Sequence, residues 1–173
     1  AVGIGATMLL PMDFRICSED ARFGFVFARR GIVPEAASSW FLPRLVGITK
    51  ALELCYSGKI ISAKEAEDIN LVSEVLPKGQ LIERALAVAN EFTAESSQIS
   101  IALTRQMMWR MLGADDPMEA HKIDSRGVFE LGQSGEAIEG VKSFLEKRPP
   151  SFPGKVSKDM PSFYPWWDEK EFE

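Results

Sequence analysis

The sequence is poor in the side chains that carry most metal and nucleophile chemistry. Of its 173 residues, one is histidine and two are cysteine. A metal centre or nucleophilic triad built on imidazole would rest on His121 alone, with no cluster of His and Cys around it. Cys17 and Cys55 form no CxxC pair and read as buried free thiols of a reducing compartment. No apolar run approaches the length of a membrane span. Positive charge is also in deficit: 20 Lys and Arg face 25 Asp and Glu, a net charge of −5, which argues against non-specific nucleic-acid binding. An anionic ligand remains compatible, because a few local cations can hold one. Gly3-Ile4-Gly5 lacks the third glycine of a dinucleotide fingerprint. Internal repeats and low-complexity tracts are missing too.

What remains is an ordinary globular composition, 46% hydrophobic and 26% charged, in a chain long enough for one domain with a proper core. The stretch around which it is organised runs from Gly31 to Gly47. It holds one acid, Glu35, and no other charge before Arg44. Pro34 fixes its own φ and keeps Val33 extended, so the chain is expected to turn there and start a helix over about 36–45. Glu35 would then sit in the first helical turn, near the positive end of the dipole. Two readings follow: a first-turn acid that stabilises a helix, or a functional carboxylate that Val33, Trp40 and Phe41 shield from water.

Elsewhere the pattern alternates short strands with helices. Residues 1–12 read as a glycine turn leading into a short apolar helix limited by Pro11. Phe14 to Cys17 and Ala21 to Phe25 read as strands joined by Ser18-Glu19-Asp20. Ile48 to Tyr56 reads as a helix with Ile48, Leu52 and Cys55 on one face. Ser62-Ala63-Lys64-Glu65 is a capping box, and residues 71–76 are strand-like. From Gln80 onward the chain is mostly helix. One stripe is Leu81, Ala85, Ala89 and Phe92; another is Leu103, Met107, Met108, Met111 and Leu112. Asp116-Pro117-Met118-Glu119 opens a helix, and Ser134 caps the last one, with Ile138, Val141 and Phe144 or Leu145 inward. After Pro149-Pro150 periodicity is lost. The aromatic tail with Phe163, Tyr164, Trp166 and Trp167 is either an arm laid on a neighbouring surface or a partly disordered terminus.

Pro34-Glu35-x-x-Ser38-Ser39-x-x-x-Pro43 resembles the Pro-Glu-Gly-x-Ser-Ser motif of Δ3,Δ2-enoyl-CoA isomerases, a branch of the crotonase superfamily (the enoyl-CoA hydratase/isomerase family). Ala36 stands where that motif has glycine. Residues 58–72 resemble the family's Gly-x-x-x-Ser-Ala-x-Glu-Ala-x-x-x-x-Leu-Val segment, with Asn70 in place of a glycine. The resemblance runs from Ala1 to about Phe152. It implies an α/β protein: the C-terminal part of a crotonase-like β/α spiral, followed by a helical trimerisation region. Residues 1–78 would be the later turns of the spiral, 79–152 the helical region and 153–173 the extended aromatic tail. About half of a family domain precedes such a segment, so a piece of a longer protein is expected.

The chemistry implied is that of acyl-CoA thioesters, with coenzyme A as part of the substrate and no tightly bound cofactor or metal. By resemblance, Glu35 is the catalytic base and the backbone N–H of Ile4 is one donor of an oxyanion hole. The two glutamates of hydratases fall on Thr7 and Phe27, which argues for isomerisation of 3-enoyl-CoA to trans-2-enoyl-CoA over addition of water. Alternatives are a hydratase or another crotonase reaction, and a non-catalytic assembly domain. Phe144 and Lys147 resemble the family's contacts to the adenine and phosphate of CoA; the alternative is a solvated basic end of an amphipathic helix. The implied partners are an acyl-CoA substrate and copies of the same chain, as a trimer or dimer of trimers, with no nucleic acid and no membrane.

Overall fold

The computed structural model describes residues 1–172, which divide into two compact units, Ala1–Ala87 and Val88 onward. In the first unit the elements are α1 (Ile4–Thr7), β1 (Ile16–Ser18), β2 (Arg22–Gly24), a 3-10 turn (Ala28–Arg30), α2 (Ser38–Val46), α3 (Ile48–Ser57), β3 (Ile60–Ser62), α4 (Ala63–Asp68) and β4 (Glu74–Leu76). The strands are short, and β1 and β2 do not form a hairpin with each other. β1 pairs in parallel with β4, Ile16 facing Glu74, whereas β2 pairs antiparallel with β3, Arg22 facing Ser62. A parallel partner requires a crossover, and the chain from β2 through α4 supplies it.

The core of this unit gathers Phe23, Phe25, Phe27, Leu42, Leu54 and Ile61. Residues 23, 25 and 27 are all buried, although strand pairing ends at Gly24 and Phe27 already has helical φ and ψ at the start of the 3-10 turn. Gly24, between the first two, is a close approach: a Cβ there would lie 2.4 Å from Ile60 Cδ1. The capping box is formed as the spacing predicts. Ser62 Oγ accepts from the Glu65 amide at 3.2 Å, and Glu65 Oε2 accepts from the Ser62 amide at 2.8 Å. Asn70 takes a left-handed φ of 60° between α4 and β4. Asparagine is among the few residues other than glycine that visit this region readily, which accounts for its place where the resemblance expects glycine.

The helix boundaries expected for α3 hold, and the apolar face that periodicity marks is not the buried one. Ala51 and Leu54 are inside, while Ile48 is 61% and Leu52 40% exposed and Cys55 only half-buried. α3 packs against α2, with Ala51 and Leu54 joining Leu42 in one core. Sequence periodicity finds an apolar stripe, but the neighbouring helix decides which stripe turns inward.

The second unit is helical. α5 (Leu81–Thr93) crosses into it and is followed by α6 (Gln98–Met111), α7 (Pro117–Gly132) and α8 (Gly135–Glu146). α7 begins as read: Asp116 Oδ1 accepts from the Met118 amide at 2.7 Å, with Pro117 in the first turn. Three expected faces are corrected. In α5, Val88 is buried, whereas Ala85, Ala89 and Phe92 are exposed. In α6, Ile99 and Leu103 are buried with Met107 against them, but Met108 and Leu112 face out. In α8, Ile138, Val141, Phe144 and Leu145 are all exposed, and the buried residues are Glu136 and Ser143. Ser134 occupies the cap position of α8, yet its hydroxyl donates to Leu131 O at 2.7 Å and caps nothing.

The polar inward face of α8 has defined partners. Glu136 accepts from the Ser97 hydroxyl and, at 2.7 Å, from the Gly154 amide. Gly154 must lack a side chain, because a Cβ would lie 2.4 Å from Ile99 Cδ1 and 2.8 Å from Glu136 Oε1. Arg148 forms a two-pronged pair with Glu139 at 2.6 and 2.9 Å. With the Ser151 amide added, this holds the Glu139 carboxyl down at about 2. The aromatic tail is laid on the helices of its own unit. Phe163 packs with Ile99 and Leu103, Ser162 donates twice to Glu130, and Arg110 lies 3.2 Å above the Trp167 ring. Phe163→Ala should therefore lower the stability of this unit by about 3 kcal/mol. Limited proteolysis should then cut the tail at protease concentrations that spare the parent protein.

Candidate active site

Glu35 does not lie in a helix. The structure starts α2 at Ser38, and residues 36 and 37 form a turn in which both have positive φ, 50° and 53°. The Ser38 amide closes that turn on the Glu35 carbonyl at 3.0 Å, and the Ser38 hydroxyl donates to the same oxygen at 2.6 Å. Ser38 is itself buried. The expectation of a first-turn acid on the helix dipole is thus corrected. Pro34 does set the direction of the chain, but two left-handed residues intervene before helical geometry begins. This also gives the glycine of the resemblance a physical reason, since the first of these positions favours a residue without Cβ. Nor do all three apolar neighbours shield the carboxylate: Val33 is 78% exposed, and Glu35 itself is half-buried.

The turn delivers the Glu35 side chain to α1. Thr7 Oγ1 lies 2.6 Å from Glu35 Oε1. The same hydroxyl is 3.3 Å from Gly3 O and 3.4 Å from Ile4 O. It carries one hydrogen, and the shortest contact, to the carboxylate, marks where that hydrogen goes. Thr7 has no exposed surface. Among the described residues, no other side chain bonds to the Glu35 carboxylate, so Oε2 is left open.

Ile4 and Glu35 are therefore brought to one helical turn. α1 is only four residues long, and a bond from Gly3 N to Gly24 O at 3.1 Å anchors its start. Gly3 has φ 57°, which glycine adopts at no steric cost. The Ile4 amide, first of the helix, makes none of the backbone bonds that the flanking Gly3 and Gly5 amides make. Donors at a helix start lack partners within the helix. Phe27 is buried in the core, and its carbonyl accepts from Arg30 at 2.8 Å and Ile32 at 3.2 Å, so it anchors the segment leading to Glu35. Phe144 and Lys147 belong to the second unit. Phe144 is 80% exposed near the end of α8, and Lys147 follows it in the left-handed C-cap position.

The sequence pattern left two residues of the site unmarked. Thr7 looked only like the loss of a glutamate, and Ser38 only like part of a motif. The signal for Ser38 was its position three residues after Glu35, the spacing of a turn closed by its last residue. Burial pushes the thiols of buried Cys17 and half-buried Cys55 up from their usual range, which works against thiolate reactivity; the expectation of a buried thiol holds for Cys17 and not for Cys55. His121 is exposed, and among the described residues no group of three His, Cys, Asp or Glu side chains converges as metal ligands would. No helix is long and apolar enough to cross a membrane.

Comparison with known proteins gives this geometry its context. The family model for enoyl-CoA hydratase/isomerase matches residues 1–155. An enoyl-CoA hydratase of Alternaria alternata is 44% identical over 88% of this chain and 51% of its own length. A probable enoyl-CoA hydratase of Bacillus subtilis is 36% identical over 90% of this chain and 60% of its own. Among solved structures, a probable enoyl-CoA hydratase/isomerase from Mycobacterium abscessus superimposes with a TM-score of 0.84 at 33% identity, over 90% of this chain and 63% of that one. The chain belongs to the enoyl-CoA hydratase/isomerase family, and its α/β fold is the crotonase-type fold that the motifs implied. It spans about half the length of the first of these relatives.

The turn gives a direct test. An alanine in left-handed conformation costs roughly 1–2 kcal/mol, and exchanging it for glycine returns part of that to unfolded-chain entropy. Ala36→Gly should raise stability by about 0.5–1 kcal/mol in chemical denaturation. It should leave the Glu35–Ser38 turn intact.

Proposed function

We propose that this chain contributes the base and one oxyanion donor of an enzyme that isomerises 3-enoyl-CoA to trans-2-enoyl-CoA. The observation that carries the reading is the carboxylate bonded to α1: among the described residues Glu35 is held through one oxygen, by Thr7, and no side chain bonds to the other; by resemblance the two hydratase glutamates would fall on Thr7 and Phe27. Glu35 takes the proton from C2. The electrons of that C–H bond pass into the thioester, and negative charge develops on its carbonyl oxygen. The Ile4 N–H donates to that oxygen; such donors act on charge that appears only as the reaction proceeds. The proton then returns to C4, the thioester carbonyl re-forms and the double bond lies between C2 and C3. One carboxylate serves both transfers and no water is consumed.

Phe144 and Lys147 suit the adenine and phosphate end of CoA, an exposed aromatic face with a cation three residues on. No tightly bound cofactor is needed for this chemistry. The names of the relatives favour a second reading, addition of water to 2-enoyl-CoA, which on this chain would have to proceed without the usual pair of glutamates.

Both readings are separated by one variant and two assays. Glu35→Gln keeps size and hydrogen bonding but cannot accept a proton. Isomerase turnover of the full-length protein should fall by at least about 10²-fold, with acyl-CoA binding largely retained. Undiminished isomerisation would remove Glu35 from the mechanism. Fast hydration of a 2-enoyl-CoA by the wild type would favour the second reading.

The outward apolar face of α8, Ile138, Val141 and Leu145 at helical spacing, supports assembly with further copies of the chain, as a trimer or dimer of trimers. Light scattering of the full-length protein should give a multiple of the protomer mass, and Val141→Asp should shift it toward the monomer. A monomeric wild type at micromolar concentration would sink this assignment.

A further inference from the structure

We infer that Thr7 is a positioning residue for the Glu35 carboxylate: its hydroxyl holds Oε1 so that Oε2 alone faces the substrate. The inference rests on the reading of Glu35 as the base. Thr7 is fully buried on α1, its Oγ1 is 2.6 Å from Oε1, and the two residues are 28 positions apart in the chain. A buried hydroxyl has to place its hydrogen, and the alternative acceptors, Gly3 O and Ile4 O, are 3.3 and 3.4 Å away. The main chain of Glu35 is held independently, by the Ser38 amide and hydroxyl on its carbonyl. Its side chain has three torsions between that anchor and the carboxylate, and among the described residues Thr7 is what fixes the far end. No ion pair reaches Glu35 among the described residues, so the Thr7 hydroxyl is the polar side-chain group that holds its carboxylate.

A glutamate at position 7 would bring a second proton-transfer group and a like charge to the same spot. A hydroxyl instead donates to the base and leaves one carboxylate in charge of both transfers. It links the base to the helix whose first amide faces the developing oxyanion. A shift of either would misalign proton acceptor and oxyanion donor together, and misplacement on the scale of an ångström is costly in rate.

The test compares Thr7→Val, Thr7→Ser and Thr7→Ala in the full-length protein, with isomerase kcat and KM measured separately. Valine keeps the shape and loses the donor. Turnover should fall roughly tenfold or more while KM for the acyl-CoA stays close to that of the parent. Thr7→Ser keeps the donor and should restore most of the turnover. Thr7→Ala removes the donor without adding bulk and should behave as valine does, which preserves the comparison with serine if valine does not fold. In the Glu35→Gln background, Thr7→Val should have little further effect. Unchanged turnover in the donorless variants, with Glu35→Gln inactive, overturns the role of Thr7 and leaves Glu35 as the base. Equal loss in Thr7→Ser and Thr7→Val overturns it as well, because packing of the methyl would then explain both. An active Glu35→Gln would instead remove the reading on which the inference rests.

Discussion

The geometry of the site depends on one backbone constraint, the left-handed pair at residues 36 and 37. Pro34 sends the chain out of the Phe27–Gly31 turn in extended form. Two residues of positive φ then reverse it, and Ser38 closes the reversal with an amide and a hydroxyl on a single carbonyl. A helix starting immediately after Pro34 would have pointed Glu35 along a helix surface and given it the dipole for a partner. The turn points it back to α1, where its partner is the hydroxyl of Thr7. Ala36 costs strain at this place, and buried Ser38 and the core beneath α2 hold it there.

Around that turn the first unit is built to keep α1 still. Gly3 approaches Gly24 closely enough for two backbone bonds to join the segment before α1 to β2, and the neighbouring Phe23, Phe25 and Phe27 seat β2 and the following turn in the core. Each element here is short, and four-residue α1 has no stability of its own. Its position comes from packing and from these bonds. The catalytic elements proposed for this chain thus rest on buried Ala6, Thr7 and Ser38, and the Glu35 side chain is placed by a partner distant in sequence.

The second unit follows a different rule. Its last helix turns a carboxylate and a serine inward and an isoleucine, a valine, a phenylalanine and a leucine outward. Buried Glu136 is tolerated because the Ser97 hydroxyl and the Gly154 amide meet its oxygens. The tail supplies one of these donors, so docking of the tail and burial of the carboxylate depend on each other. An apolar face that periodicity assigns to the core is in this unit an exposed face.

The sequence by itself determined the family, through motifs at Pro34–Pro43 and Gly58–Val72, and with it the fold class. It also determined those local features whose causes are local: the capping box at Ser62 and Glu65, the start of α7 at Asp116 and Pro117, and the approximate span of most helices. These follow from side chains a few residues apart, and such short-range chemistry is legible in one dimension. What only the tertiary structure decided are the burial of Ala51 and Leu54 in place of Ile48 and Leu52, the inward turn of Glu136, the docking of Phe163 and the meeting of Thr7 with Glu35. Each is a contact between segments distant in the chain, or a choice between two faces of one helix. Periodicity gives a face without saying what will lie against it, and a hydroxyl 28 residues from a carboxylate has no pattern that announces the bond.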